Sequence, residues 1–270
     1  MSDVFTFMGR RVRLIDLSST LSNDTREFEP NAHDIKYVDH VQGMELGAKI
    51  MGWDDAMTKR VFARGYVWSV EEVTLSTHSG THVDSPYHYG PTMGDGSPAP
   101  TIDQVPLRWC FGSGVVLDMR HVDREAGITA ADVEAQLAAI GHELQPFDIV
   151  LVRTDTDKVF DQPRYDFRHA GLRREATKYL LDRGVRMIGI DAWGLDRAFD
   201  VLVKDVLAGK AEFWESHFLG LEQPYLQIEK LANLDQLPAA TGFTVMAFPY
   251  KIRGASAGWT RVVALVEVDG

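Results

Sequence analysis

The sequence predicts an α/β fold with at least one parallel pair of strands, and three observations carry that expectation. Short apolar runs of strand length, Gly114-Val115-Val116-Leu117-Asp118 and Ile149-Val150-Leu151-Val152, recur in the middle of the chain. Unbroken runs of this kind mark strands buried on both faces. Helical stretches with suitable start and stop residues lie between them, and the resulting strand, helix, strand order calls for at least one parallel pair.

Val12 to Leu17 is a first strand, ending in the turn-rich Ser18 to Asn23. Residues 24–65 lack steady periodicity: Phe28, Trp53 and Phe62 stand among polar residues, with one helix expected around Met44 to Ile50. A segment of this length is either a lid or binding element or an oligomer contact. Tyr66-Val67-Trp68-Ser69-Val70 is β-rich and reads as a strand leading into a histidine cluster. Pro91 to Pro106 is loop, and Gly114 to Asp118 a buried strand. Thr129 caps a helix through about Ile140, with Asp132 in its first turn and Gly141 past its end. Asp148 to Thr154 is a core strand, Arg173 to Asp182 a helix closed by Gly184, and Val185 to Asp191 the strand that follows. Leu195 to Leu207 has helical period, and strands at Gly242 to Phe248 and Trp259 to Val268 close the chain. No internal repeat or Gly/Ser linker interrupts this order, so residues 1–270 are read as one domain.

A chain of 270 residues can bury a real core. Its net charge of -11 argues against nucleic acid or an anionic membrane as partner. The first residues hold no apolar signal core and no stretch has the length of a membrane span, so a cytoplasmic protein is expected. Cys110 is the only cysteine, which rules out an internal disulfide or a thiolate cage. A metal would have to be held by nitrogen and oxygen.

That possibility matters because His78, His82, Asp84 and His88 fall within His78-Ser79-Gly80-Thr81-His82-Val83-Asp84-Ser85-Pro86-Tyr87-His88. Three imidazoles and a carboxylate so close make a metal site the leading hypothesis. On a strand, 78, 82 and 84 share parity and point to one face. Straight strand would hold the Cα atoms of His78 and His82 roughly 13 Å apart, at the limit for gripping one ion. The chain should therefore bend, with Gly80 permitting the bend and Thr81 bonding to backbone freed from the ladder. Pro86 then stiffens the exit and forces Ser85 extended, carrying His88 round to the same pocket. Three protein ligands leave the open position of a catalytic rather than a structural site.

Most other histidines have bland explanations, His121, His142 and His169 among them. His217 differs because it stands in an apolar setting between Phe213-Trp214 and Phe218-Leu219, and Glu229 follows in a mostly apolar segment. A carboxylate in such a segment is often paired or metal-bound. Glu215 and Glu222 are competing acids, read as solvated.

The string His78-x-Gly80-Thr81-His82-x-Asp84-x-Pro86-x-His88 resembles the signature of the cyclase family, whose members include bacterial kynurenine formamidases, isatin hydrolases and polyketide-cyclase-like proteins. The resemblance continues in Asp16-Leu17-Ser18, Asp148 to Thr154, Gly189-Ile190-Asp191 and Glu229-x-Leu231-x-Asn233-Leu234-Asp235-x-Leu237-Pro238. It implies a swivelling β/β/α fold with a mixed, barrel-like sheet and flanking helices, assembled as a homodimer or homotetramer. It implies that His78, His82 and Asp84 bind one divalent metal, that Asp84, His217 and Glu229 bind a second, and that His88 donates and accepts the proton. Short formamidases carry Trp-Pro-Gly-Asp after the first strand where this chain has Phe28-Glu29-Pro30-Asn31, and Tyr89 stands where Phe commonly follows the last motif histidine. These departures point as much to a lactam, amide or lactone hydrolase of the isatin type as to kynurenine formamidase.

The expected activity is hydrolysis of an amide, cyclic amide or lactone of a small, flat substrate through metal-activated water, with Mn2+ or Zn2+, one or two per chain. His88 has the side chain for proton transfer near neutral pH. Phe28, Trp53, Tyr87 and Trp193 are candidates for an apolar substrate wall, against core or interface packing as their alternative. Two rivals stand beside this expectation: a polyketide-type cyclase that consumes no water, and a non-catalytic metal or ligand-binding protein.

Overall fold

The computed structural model describes residues 4–28 and 32–268, which fall into two compact units. One contains the residues up to Leu21 and those from Thr77 onward; the other is Ser22–Ser76. In chain order, β1 (Val4–Phe7) and β2 (Arg10–Asp16) precede the smaller unit, which holds β3 (Asp34–Val38), α1 (His40–Met51), α2 (Asp55–Val61) and β4 (Val70–Thr74). The larger unit continues with β5 (His82–Asp84), α3 (Pro86–Tyr89), β6 (Phe111–Asp118), α4 (Ala130–Ile140), β7 (Ile149–Arg153), α5 (Arg174–Asp182) and β8 (Met187–Ile190). It ends with α6 (Phe199–Leu207), α7 (Glu215–Glu222), β9 (Leu226–Glu229), β10 (Phe243–Met246), β11 (Ala257–Trp259) and β12 (Val263–Glu267). No helix among the described residues is long and apolar enough to cross a membrane.

Ten strands form one mixed sheet in the order β1-β2-β12-β10-β6-β7-β8-β9-β5-β11. The four central strands β6 to β9 are parallel and the flanking pairs antiparallel. The sheet curls on itself until the end of β2 meets the end of β9: Ala232 N–H donates to Leu17 O at 3.0 Å, and Ser18 bridges Leu231. The mixed sheet with flanking helices is the one the family resemblance implies.

The apolar run of β7 is buried on both faces, as its composition demands. Val150 and Val152 join one core with Val133 and Leu137 of α4, Leu180 and Leu181 of α5 and Leu219 of α7. Ile149 and Leu151 join a second core with Val83, Ile228, Val245 and Ala264. Thr129 and Asp132 form the expected reciprocal cap of α4, and Gly141 ends that helix at φ +65°.

Several boundaries differ from expectation for identifiable reasons. The strand expected over Tyr66–Val70 begins only at Val70, because the aromatics before it pack onto α1. Val67 N–H donates to His40 O, Tyr66 meets the His40 ring, and Trp68 lies over Gly47. The stretch Trp259–Val268 splits because its two halves change partners, β11 pairing with β5 and β12 with β10 and β2. The helix expected from Leu195 starts at Phe199 instead. Strand β1, which precedes the strand expected to be first, was not expected, nor were strands β3 and β9 and helices α2, α3 and α7.

Asp191, at the end of β8, supplies a pH test of the fold. Its carboxylate accepts Thr154 N–H (2.7 Å), the Thr154 hydroxyl (2.6 Å) and Asp155 N–H (2.9 Å), yet burial pushes its pKa up to about 7 and nearby Asp157 adds to the push. An unfolded chain ionises this group near pH 4. The folded state therefore gains from the protonated form below pH 4 and loses that gain as pH climbs to 7, a difference of up to about 4 kcal/mol. In metal-free protein, Asp191→Asn is expected to flatten the fall of unfolding free energy between pH 4 and 7, measured by urea denaturation. Parallel curves for parent and variant would show that Asp191 is ionised in the folded state throughout.

Candidate metal centre

Register brings the site together. β5 and β9 are antiparallel with His82 opposite Glu229 and Asp84 opposite Gln227, while β11 flanks β5 on its other edge. Alternate strand positions share a face, so His82 and Asp84 leave β5 on the same side. His78 is not on that strand but in the turn before it, so the parity argument holds only for His82 and Asp84. The bend lies at Gly80, at φ +63°, where a side chain would be strained. It brings the His78 and His82 rings to 5.0 Å between centroids.

Thr81 performs the expected backbone role. Its hydroxyl donates to Lys230 O at 2.6 Å and accepts Ser19 N–H at 2.8 Å, tying the turn to the ends of β9 and β2. The Gly80 carbonyl accepts His82 Nδ1–H at 2.8 Å, which fixes the tautomer and leaves Nε2 as an acceptor inside the site. Pro86 opens the one-turn α3 behind an extended Ser85, and His88 on that turn lies 4.1 Å from the His78 ring.

α7 supplies His217. Gly220 on this helix lets the Tyr89 ring approach, since a Cβ there would lie 2.4 Å from it. The His217 ring comes within 5.5 Å of His88 and stacks on Trp214 at 4.5 Å and 11°. His217 Nε2 lies 3.9 Å from Glu229 Oε1, and His82 Nε2 lies 3.6 Å from Glu229 Oε2. The structure thus gathers all six candidates, His78, His82, Asp84, His88, His217 and Glu229.

The donor set fits a divalent cation. His82 and Asp84 are fully buried, and His82 Nε2 and both Asp84 oxygens have no partner in hydrogen-bonding geometry. His78 Nδ1 and His82 Nε2 nevertheless lie 2.9 and 3.3 Å from Asp84 Oδ1. Buried polar atoms without partners are costly, and a cation among them removes the cost. His78, His82 and Asp84 can each point one ligand atom at a common centre, all within 4.8 Å, and so can Asp84, His88 and His217.

Charge tells the same story. Burial favours a neutral Asp84, but the charges of His82 and His88 and the close approach of the His78 and His82 ring nitrogens hold its carboxyl well below the usual range. Glu229 is pushed up by burial and by Asp84 across the site. Burial lowers His82 and His217, yet the neighbouring carboxylates outweigh it and raise both. For His88, burial and the surrounding histidines win over Asp84 and bring its pKa down to about 4.

Of the proposed wall residues, Trp193 ends an aromatic row that begins beside His88. Trp193 follows β8, with its ring 5.3 Å from Phe199 and Lys230 Nζ 5.9 Å from its centroid. Tyr87 is exposed on α3. Trp53 packs on Phe62 at 5.6 Å within the smaller unit, and the side chain of Phe28 lies outside the described residues. That row runs from Trp214, 5.4 Å from His88, through Phe213 and Phe199 to Trp193.

Sequence reasoning missed Trp214, Phe213 and Phe199, as well as Ser256, whose hydroxyl lies 3.0 Å from His78 Nε2, and Lys230, whose Nζ donates to His78 O at 2.8 Å. Trp214 and His217 are three residues apart, a helical spacing that would have signalled their contact had α7 been expected. Glu215 is buried near Arg197 rather than solvated, while Glu222 is exposed and pairs with Arg174. His142 pairs with Asp148 at the surface, and His169 is buried against the Asp196 carbonyl.

A curled mixed sheet whose adjacent strands present a buried cluster of histidines and carboxylates defines the class: an α/β protein with a donor set suited to a divalent ion. The Cyclase family model matches residues 15–197. A kynurenine formamidase of Erythrobacter litoralis is 29% identical over 195 residues, covering 72% of this chain and 76% of its own. That of Maricaulis maris is 30% identical over 230 residues, covering 78% and 96%. Isatin hydrolase A of Labrenzia aggregata, solved with benzyl benzoate bound, superposes at a TM-score of 0.69 with 26% identity, covering 95% of this chain and 94% of its own. The chain belongs to the Cyclase family, as the histidine string implied.

Proposed function

We propose that this protein is a metal-dependent hydrolase that opens the C–N bond, other than a peptide bond, of an amide or cyclic amide, or the ester C–O bond of a lactone, in a small aromatic substrate. The observation that carries this is the buried cluster of His82 Nε2 and the two unpartnered Asp84 oxygens, placed beside a row of aromatic rings. Its kynurenine formamidase and isatin hydrolase relatives support the same bond class. His78, His82 and Asp84 hold Mn2+ or Zn2+, with His217 and Glu229 completing the centre for one ion or two. A bound divalent ion supplies a Lewis acid that polarises the scissile carbonyl and acidifies water.

The residues of the chain do the rest. His88, neutral at pH 7 because burial holds its pKa near 4, is ready to take a proton from the attacking water and pass it to the leaving nitrogen. Trp214, with its ring toward His88, and Phe213 behind it offer a flat apolar face that orients an aromatic substrate and excludes water. The exposed apolar side chains Tyr37, Ile50, Met51 and Tyr66 of the smaller unit support a homodimer or homotetramer, and a lone buried Cys110 accords with the cytoplasm.

The test is metal analysis of the purified protein followed by N-formyl anilides, isatins and aryl lactones with a pH indicator. Acid release from one of these classes, dependent on Mn2+ or Zn2+, is expected. A ring-closed product without acid release would instead mark a cyclase, and no turnover by the fully metal-loaded protein would favour a binding role.

A further inference from the structure

The connection between β8 and α6 is buried, although connecting segments ordinarily run over the surface. Leu195, Asp196 and Arg197 are 0%, 4% and 1% exposed. Each braces a different part of the site. Leu195 N–H donates to Glu229 Oε1 at 3.1 Å. Asp196 accepts Ser216 N–H on Oδ1 at 2.7 Å and His217 N–H on Oδ2 at 3.2 Å, and Oδ2 also accepts a hydrogen bond from His217 Nδ1. Arg197 donates from Nη1 to Asp205 at 2.7 Å and lies 3.6 Å from the Glu215 carboxylate at the first turn of α7.

The segment is itself pinned. His169 Nε2–H donates to Asp196 O at 2.9 Å, and a Cβ on Gly171 would lie 2.0 Å from that carbonyl oxygen. α7 has no cap of its own, because Trp214 before it is in the left-handed region at φ +54° and contributes no side-chain bond. Asp196 caps the helix from another element. Capping alone would not need the ring contact.

A carboxylate only accepts hydrogen bonds, so the hydrogen of neutral His217 is on Nδ1 and the lone pair is on Nε2. Resting on the assignment of His217 to the metal centre, we infer that Asp196 is a positioning residue that selects the His217 tautomer and turns its Nε2 lone pair toward Glu229. With Leu195 holding the Glu229 carboxylate from the same three-residue clamp, the half of the site remote from β5 is set as a unit. Outer partners of this kind fix the ligand's orientation and raise its basicity.

The experiment uses the full chain, 15N-labelled at histidine, and needs no substrate. Two-bond proton–nitrogen spectra of the metal-free protein, recorded at alkaline pH where the imidazole is neutral, are expected to show the His217 hydrogen on Nδ1. In Asp196→Asn the side-chain amide can place a donor against Nδ1, and the hydrogen is expected to move to Nε2. Zn2+ binding, followed by competition with a chelator, is expected to weaken by about 10- to 100-fold. Asp196→Glu, which keeps an acceptor, is expected to recover the Nδ1–H form and most of the affinity. An Nε2–H tautomer in the parent would overturn the inference even if every variant failed to fold. So would Asp196→Asn with an unchanged tautomer and parental Zn2+ affinity. Should the parent bind no Zn2+ or Mn2+, the metal assignment falls while the tautomer spectra still decide the role of Asp196.

Discussion

Replacing Asp84 by Asn is expected to strip the metal from the protein and lower activity by about 10,000-fold or more, the scale set by several kcal/mol of lost Lewis-acid stabilisation. Asp84 is the one carboxylate on β5, and His78 Nδ1 and His82 Nε2 both face its Oδ1. Asparagine keeps the shape but removes the anion, leaving two imidazoles on that side of the centre. Stability separates this from simple unfolding. The charges of His82 and His88 favour an ionised Asp84 even without a cation, so the metal-free variant is expected to melt somewhat below the metal-free parent while still unfolding cooperatively. Adding Zn2+ or Mn2+ at a hundred times its dissociation constant is expected to stabilise the parent by about 2.7 kcal/mol and the variant hardly at all. Full metal occupancy in Asp84→Asn would refute the assignment.

His88→Ala is expected to do the opposite, keeping the metal while cutting turnover by about 100- to 10,000-fold, the usual worth of a positioned acid or base. Its ring lies 4.1 Å from His78 and 5.4 Å from Trp214, between the metal ligands and the aromatic row where a substrate would bind. The geometry also lets His88 share a centre with Asp84 and His217, which makes the comparison decisive. If His88→Ala loses metal as readily as His82→Ala, His88 is a ligand and the proton carrier must be sought elsewhere.

How far the sequence revealed this site depended on how local each piece is. The bend at Gly80, the bonding of Thr81 and the extended Ser85 before Pro86 follow from backbone rules acting within a few residues, and the structure shows all three. The cap of α4 was legible for the same reason. α7 was not. Glu215, Ser216 and His217 are buried polar residues, so no polar face betrays the helical period, and its cap comes from Asp196, distant in the chain. Strand β9 is four residues long, and buried Gln227 and Glu229 break its apolar run, so no strand was read there although Glu229 stood out. Side chains at the ends of β8 and the start of α6 were read as helix because Leu195 to Arg197 keep the right spacing; their hydrogen bonds to the site override that propensity.

The order of strands in the sheet also bears on how the protein is made. β5, with His82 and Asp84, is among the first parts of the larger unit to leave the ribosome, but its neighbours are β9 on one edge and β11 on the other. Until the chain has been synthesised through Trp259, this three-residue strand has an open edge and the histidines lack the wall that encloses them. Such long-range pairing is slow and exposes intermediates. The ion-binding pocket is therefore completed near the end of translation. A nascent chain stalled before β9 would offer a metal only the loose histidines of an unpaired strand, and one stalled before β11 a strand paired on a single edge, so the finished protein, rather than the growing one, would be the species to take up an ion.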